Sequence, residues 1–459
     1  MYNNPNSPDY HSWATNDSGN SSLDTTNLRQ LADEEAQSQI EIPSVAPPEA
    51  IREPLETDSA FTSSDEDFSI KDLTEVLSTT IKYDNTNKAI VFLAALTTYT
   101  EQDQLNIMLV GPSSSGKTYI VQEVMKYFPT EDILQFDSVS PTAFKYYNQS
   151  TDEKTGETFV DLERKILVFS EMPNFQLVAN LRPLLSHDRK IIEALTTDRS
   201  TAGRGVARHT KIKGYPTTFF CSAYTRMDEQ ESTRALQLSP ESSQEKLEAG
   251  VALANERNAN PIAFRKKIEG NPARIALKKR IEIIKGLNIQ SVIIPNPKEV
   301  LEKYTEIMST LAPRSQRDIG HLHSLIKAVA MLNAERRMDE NRNVIATNED
   351  IIDGVKLWAN ISRTQSLGIP PVVYSFYTDF VIPAYKHKTT LRKNEEQFIE
   401  DGVTLSEITA YYSELTGLVY NTDTLRKLTM PTLVSAGIVN EEKSPLDARR
   451  KLYKPILEV

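Results

Sequence analysis

The sequence predicts an α/β fold: a parallel sheet flanked by helices, then a helical stretch and a small helix–helix–hairpin module. Three observations carry this. Short apolar runs such as NIMLV at 106–110 and ILVF at 166–169 alternate with amphipathic stretches until about residue 240, the pattern of strands joined by crossover helices. From about 260 to 365 the apolar residues recur only at helical spacing,. Between them, GPSSSGKT stands directly after one apolar strand and directly before YIVQEVMKYF.

The elements follow in order. Residues 1–68 hold 14 Asp/Glu against 2 Lys/Arg, with much Asn, Ser, Thr and Pro and no sustained periodicity. Such a segment cannot bury enough surface to offset the entropy of ordering, so a disordered acidic tail is expected. The formal charge of −11 over 459 residues belongs to this tail, because the remainder carries 49 acids and 50 bases. Overall acidity therefore does not exclude a nucleic-acid partner. Order is expected to begin at SIKDLTEVLSTTIKY, where Ile70, Leu73, Val76 and Leu77 fall at helical spacing, followed by the helix TNKAIVFLAALTTYT. The later helices are RIALKKRIEIIK, PKEVLEKYTEIMSTL, GHLHSLIKAVAMLNAERR and TNEDIIDGVKLWANI, the last with Thr347 and Asp350 in an N-terminal capping arrangement,. GIPP at 368–371 marks a break, and the final stretch reads as helix, helix and two-stranded hairpin.

The one cysteine, Cys221 in TTFFCSAY, is expected to be a buried strand thiol and cannot form an intrachain disulfide,. The apolar run at 89–96 is too short to span a bilayer,. The N-terminus lacks a basic start followed by an apolar stretch, so no signal peptide and a cytoplasmic protein without membrane contact are expected,.

Gly111, Pro112, Ser113, Ser114, Ser115, Gly116, Lys117 and Thr118 form the G-x-x-x-x-G-K-[ST] pattern in its strand–loop–helix context,. Glycines let backbone N–H groups curl around phosphate oxygens, and the helix start adds partial positive charge. Lys117 would reach the β- and γ-phosphates, and the Thr118 hydroxyl would hold Mg²⁺. No N-K-x-D guanine-reading motif follows in a sensible position, so ATP is expected rather than GTP.

Glu171 lies 54 residues past Lys117, at the end of a strand expected beside the phosphate loop. A carboxylate there can polarise an attacking water. Ser170 stands where an aspartate orienting the Mg²⁺ ion is expected. A hydroxyl can bond a metal-bound water but brings no charge, which leaves slow hydrolysis or binding without cleavage as the two outcomes.

The sequence resembles the AAA+ ATPases of the helicase type, above all the helicase-like ATPases found beside or fused to primases in phages, plasmids and other mobile elements. The residues that carry the likeness are TNKAIVFLAAL before the phosphate loop, then SPTAFKYY, RKILVFSE, LRPLLSHDRK and ESTRALQLS after it. RDIGHLHSLIKAVAMLNAERR is similar to the lid of minichromosome maintenance helicases. The resemblance implies an AAA+ core at 69–260, a helical lid at 261–367 and a winged-helix domain at 368–459. It implies that Ser222, or alternatively Thr225, senses the γ-phosphate. Arg234 would be an arginine finger inserted into the neighbouring subunit's site, worth ~10³-fold or more. Arg317, with Arg314 as rival, would be the lid sensor.

Two regions could touch DNA. DRSTAGRGVARHTKIKG, residues 198–214, carries Arg199, Arg204, Arg208, Lys211 and Lys213 against Asp198 and reads as a hairpin with a Gly-rich tip. In the resembling helicases a hairpin here lines the ring's pore, where basic residues can hold a single-stranded backbone. In the C-terminal region Arg426, Lys427, Arg449, Arg450 and Lys451 could meet duplex phosphates,. The sequence as a whole suggests an ATP-hydrolysing, ring-forming, probably homo-hexameric DNA helicase or translocase of a mobile element, with any primase a separate chain. An ATP-gated DNA-binding initiator or regulator with little hydrolysis is the alternative.

Overall fold

The computed structural model describes residues 67–145, 147, 149–151, 157–198, 206–223, 233–308, 310–394 and 400–456. All belong to one compact unit, Ser59–Val459. The acidic tail up to residue 66 lies outside the described residues.

Order starts two residues earlier than expected. Asp67 is ion-paired with Arg337, and the Phe68 backbone is gripped by the side-chain amide of Asn333. Ser69 then caps α1 (Ile70–Leu77) through a reciprocal bond with Asp72, which satisfies donors the first turn cannot pair internally. α2 (Asn85–Leu96) is apolar around its whole circumference, so it is buried on every side rather than lying on the surface.

β1 (Ile107–Val110) leads through the phosphate loop into α3 (Lys117–Met125), and β2 (Ile133–Phe136) follows. Next come β3 (Ser150–Thr151), β4 (Thr158–Asp161), β5 (Ile166–Phe169), α4 (Phe175–Leu185), β6 (Ile191–Asp198), β7 (Val206–Lys213), β8 (Thr217–Ser222) and β9 (Leu236–Leu238). The central sheet is parallel with order β2–β5–β8–β1–β9. β1, β5, β8 and β9 are buried along their length, as expected when helices cover both faces. One expectation is corrected here. The strand that ends at Glu171 is not the neighbour of the phosphate-loop strand, because β8 lies between them and pairs with both.

The 198–214 region forms the expected hairpin, with β6 and β7 antiparallel from Ile191↔Lys213 to Asp198↔Val206. It is also larger than expected: β7 pairs with β4, and β3 with β4, making a second sheet of four strands. The reading missed β3 and β4 because they are short and weakly apolar. The tip residues 199–205 lie outside the described residues.

Helices then take over with α5 (Gln244–Ala259), α6 (Pro261–Glu269), α7 (Pro272–Gly286), α8 (Pro297–Ile307), α9 (Ser315–Met331) and α10 (Asn348–Leu367). α5 was not anticipated, and no residue of α5 or α6 is buried, so no apolar stripe marks them in sequence. A short parallel pair, β10 (Ser291–Ile293) and β11 (Asn343–Ile345), ties the helices together. α9 and α10 approach closely at Gly354, where an added Cβ would lie 2.5 Å from Ile326 Cγ1. The Thr347–Asp350 capping box is present.

The last segment has its own core around Phe376, Ile408, Leu425, Leu433 and Tyr453. A helix from Pro371 to Asn394, with a π turn at Tyr377–Val381, is followed by Val403, which bridges to Tyr453. The helix Leu405–Thr416 comes next. The run from Thr422 to Ser435 absorbs Pro431 by widening into a π turn at Leu425–Thr429, so that the proline sits in the first turn of Met430–Ser435, where its missing N–H does no harm. β12 (Val439–Lys443) and β13 (Lys451–Pro455) close the hairpin. No helix among the described residues is long and apolar enough to cross a membrane.

Candidate functional site

The phosphate loop leaves β1 at its C-terminal end and turns into α3 through Ser114 and Gly116, both at positive φ (63° and 94°). At Gly116 space for a Cβ is open, so the need for glycine lies in the backbone conformation itself. Gly116 offers no side-chain cap to α3, and the first N–H groups of that helix are left to an incoming anion. Gly111 N donates to Ser222 O (3.2 Å), pinning the loop's root to β8. Pro240, just beyond β9, packs against Gly111.

Lys117 is folded back onto its own loop, with Nζ donating to Gly111 O (2.8 Å) and Pro112 O (2.5 Å). Burial pushes its ammonium below the ordinary value, with Cys221 acting in the opposite direction. A buried cation held only by carbonyls gains from a phosphate at the same place. The Thr118 side chain hydrogen-bonds to Cys221, whose thiol burial pushes up. Cys221 is buried, as expected.

Ser170 continues β5, its N–H bonding Phe136 O at 2.9 Å. Its hydroxyl is shielded from solvent and has no hydrogen-bond partner, and the same is true of Ser115 Oγ. Such a group costs about 1–3 kcal/mol unless something arrives to bond it. Thr118, Ser170 and the exposed Glu171 form an all-oxygen donor set of the kind a magnesium ion and its waters accept. The residues present therefore fit the ion that the motif implies.

Beside the loop, Asp84 (φ 51°) is fully buried. It accepts from Asn87 Nδ2 (2.9 Å) and Glu241 N (2.7 Å), and it pairs with Lys246. Lys88, also fully buried, donates to Ser78 Oγ, Ile81 O and Tyr83 O at 2.6, 3.1 and 2.9 Å. Burial lowers its pKa to about 8 despite the nearby Asp84 carboxylate. The lysine inside TNKAIVFLAAL was the only sequence signal for this brace.

The two predicted arginines lie together and away from the loop. Leu236 N bonds Asn106 O (2.9 Å) at the start of β1, so Arg234 stands at the end of the sheet opposite the phosphate loop. The four residues of β1 between them span about 13 Å,. Arg234 is half-buried and its Nε donates to Ser186 Oγ (2.5 Å). Arg317 bonds Thr233, the preceding residue, while Arg314 pairs with Asp318 at 3.1 Å. His321 is neutral in this cationic company: burial first, then Arg314, Arg317 and His187, push its pKa down to about 3.

Asn106, which the sequence reading passed over, joins this end of the sheet. It is buried, donates to Leu185 O (3.0 Å) and Arg234 O (3.4 Å), and accepts from Thr218 N (3.1 Å). It thereby ties the end of α4 and the Arg234 turn to β8. A polar residue opening the run NIMLV was the available signal.

The predicted DNA contacts are dispersed. Lys211 pairs with Glu157 (2.6 Å) and Lys213 with Asp161 (2.9 Å), both across the second sheet. Arg199 and Arg204 fall outside the described residues, and Arg208 is placed on β7. Arg426 and Lys427 both pair with Asp423, the latter at 3.2 Å. Lys451 pairs with Glu441 at 2.6 Å, while Arg449 and Arg450 are exposed at the hairpin tip. Ser222 is buried beneath the loop; Thr225 lies outside the described residues.

No curated protein matches this chain. Residues 55–276 match a family model described as the MTBMA_p00010 P-loop domain. With a phosphate loop at the C-terminal edge of a parallel sheet, this chain carries a P-loop NTPase domain of α/β architecture.

Proposed function

We propose that the chain is a ring-forming ATPase of the AAA+ helicase type that moves along DNA, with a C-terminal winged helix, in the replication of a mobile element. One observation carries the reading: Arg234 and Arg317 cluster at the sheet end remote from the chain's own phosphate loop. Arginines so placed cannot close over their own nucleotide. They are positioned to meet a triphosphate held by a second copy, whose arrival would compensate the concentrated positive charge. The insertion of β8 between β1 and β5, which sets Ser222 between Lys117 and Glu171, accords with this reading.

Each residue then has a task. Loop N–H groups and the start of α3 cradle the phosphates, and Lys117 exchanges the Gly111 and Pro112 carbonyls for the terminal phosphates. Glu171 orients and polarises the attacking water. A bound magnesium ion would supply charge neutralisation, held through Thr118 with Ser170 bonding a water of its shell. Arg234 of the neighbouring copy stabilises the charge of the transition state. The β6–β7 hairpin faces single-stranded DNA through its tip, because Lys211 and Lys213 are spoken for by acids. The exposed Arg449 and Arg450 are the better duplex contacts of the C-terminal module, and any primase would be a separate partner.

The test is complementation. Arg234→Ala and Glu171→Gln should each abolish DNA-stimulated ATP turnover, and mixing the two proteins should restore part of it. In mixed rings an intact Glu171 site meets an intact Arg234. If co-assembled mixtures stay as inactive as either variant alone, the shared site is wrong. A second reading, an ATP-gated DNA-binding switch, is favoured by one feature: the uncharged, unpartnered Ser170 in place of a carboxylate. Tight ATP binding by the wild type with no turnover in the presence of DNA would decide for the switch.

A further inference from the structure

The chain enters the described structure beside a cavity of about 360 Å³ that the nucleotide site does not use. Its floor is apolar, made by Ala276, Leu277 and Ile283 of α7, and its rim carries Lys279, Arg280 and Arg336. Phe68 forms one wall, with the Arg280 guanidinium 4.9 Å from its ring centroid. Asn333 holds the Phe68 backbone from both sides, accepting from its N–H (2.8 Å) and donating to its carbonyl (3.1 Å). Asp67 reaches Arg337. Burial and the neighbouring Arg336 both lower the pKa of Arg280, which marks a positive local field.

The residues just upstream have the complementary chemistry. Ser59–Glu66 reads SAFTSSDE, an aromatic residue followed by two adjacent acids. Phe61 is seven residues from the anchored Phe68, a reach of up to about 23 Å,. The matched family model begins at residue 55, so this stretch belongs to the domain's recurrent sequence and not only to the tail.

We propose that the cavity is the seat of the chain's own segment Ser59–Glu66, with Phe61 on the apolar floor and Asp65 and Glu66 against Lys279 and Arg336. An aromatic side chain in an apolar hollow supplies the burial, and acids against a basic rim fix the direction of the segment. The segment is thereby strapped across α7 and the turn that follows α9. This seat is independent of nucleotide and DNA chemistry.

Amide hydrogen exchange of the full-length protein tests the proposal. Ser59–Glu66 should exchange at least tenfold more slowly than an unstructured peptide of the same sequence. Lys279→Glu with Arg336→Glu, or Phe61→Ala alone, should remove that protection while exchange in α9 stays unchanged. Adding Asp65→Lys and Glu66→Lys to the first pair should restore it. Unprotected exchange in the wild type overturns the proposal, as does protection indifferent to the cavity substitutions. Protection that fades on dilution also overturns it, by showing that the seat takes the segment of a second copy.

Discussion

Ser170→Ala should act in opposite directions on the free protein and on its nucleotide complex. In the free protein the Ser170 hydroxyl is shielded and without a partner, a state costing about 1–3 kcal/mol. Alanine removes the unsatisfied group and leaves only an oxygen-sized gap, so the variant should be more stable by about 1 kcal/mol. For a domain of 150–250 residues that corresponds to a rise in Tm of about 2–4 °C, and to somewhat less in this larger unit. With Mg·ATP bound, the hydroxyl is expected to bond a water of the ion, a contact of about 0.5–1.5 kcal/mol. Losing it should weaken Mg·ATP binding roughly twofold to tenfold. Thermal melting with and without Mg·ATP, together with titration of the nucleotide, reads both signs. A lower Tm for the free variant would mean that the hydroxyl has a structural partner, and unchanged Mg·ATP affinity would mean that it does not face the ion. Either result refutes the reasoning.

Two further outcomes follow from the same structure. Gly354→Ala puts a Cβ 2.5 Å from Ile326 Cγ1 and 3.0 Å from Ile326 Cα; α9 and α10 must then separate, and denaturant unfolding should show a loss of about 1–3 kcal/mol. His321, with a folded pKa of about 3 against an ordinary 6.5, stays neutral while the unfolded chain takes up a proton. Its contribution is therefore full above pH 6.5 and is lost as pH falls through 6.5 toward 3, by up to about 1.4 kcal/mol per unit. His321→Gln should make unfolding free energy measured at pH 6.5 and 5.5 differ less than in the wild type, and an unchanged difference would show that this histidine is protonated in the native state.

Local chemistry alone was enough for the phosphate loop, because cradling a phosphate needs a short run of backbone N–H groups and one lysine, all contiguous from Gly111 to Thr118. The same holds for the capping boxes at Ser69 and Thr347, for the buried Cys221, and for the hairpin at 191–213. Each depends on residues a few positions apart. By contrast, α5 and α6 bury nothing, so no periodic pattern announced them.

What only the tertiary structure decided concerns order and pairing across long separations. Sequence placed Glu171 on a strand near the loop, yet the strand order, with β8 between, follows from which crossover helix packs on which face. Sequence counted Lys211, Lys213, Arg426 and Lys427 as charges free for DNA. Folding brought Glu157, Asp161 and Asp423 against them, and a paired cation has little field left to offer,. Arg234 and Arg317, 83 positions apart in the chain, meet only because β9 closes the edge of the sheet beside α9. Residue types set the chemistry available to this protein, and chain topology determines which charges are cancelled and which remain exposed for a partner.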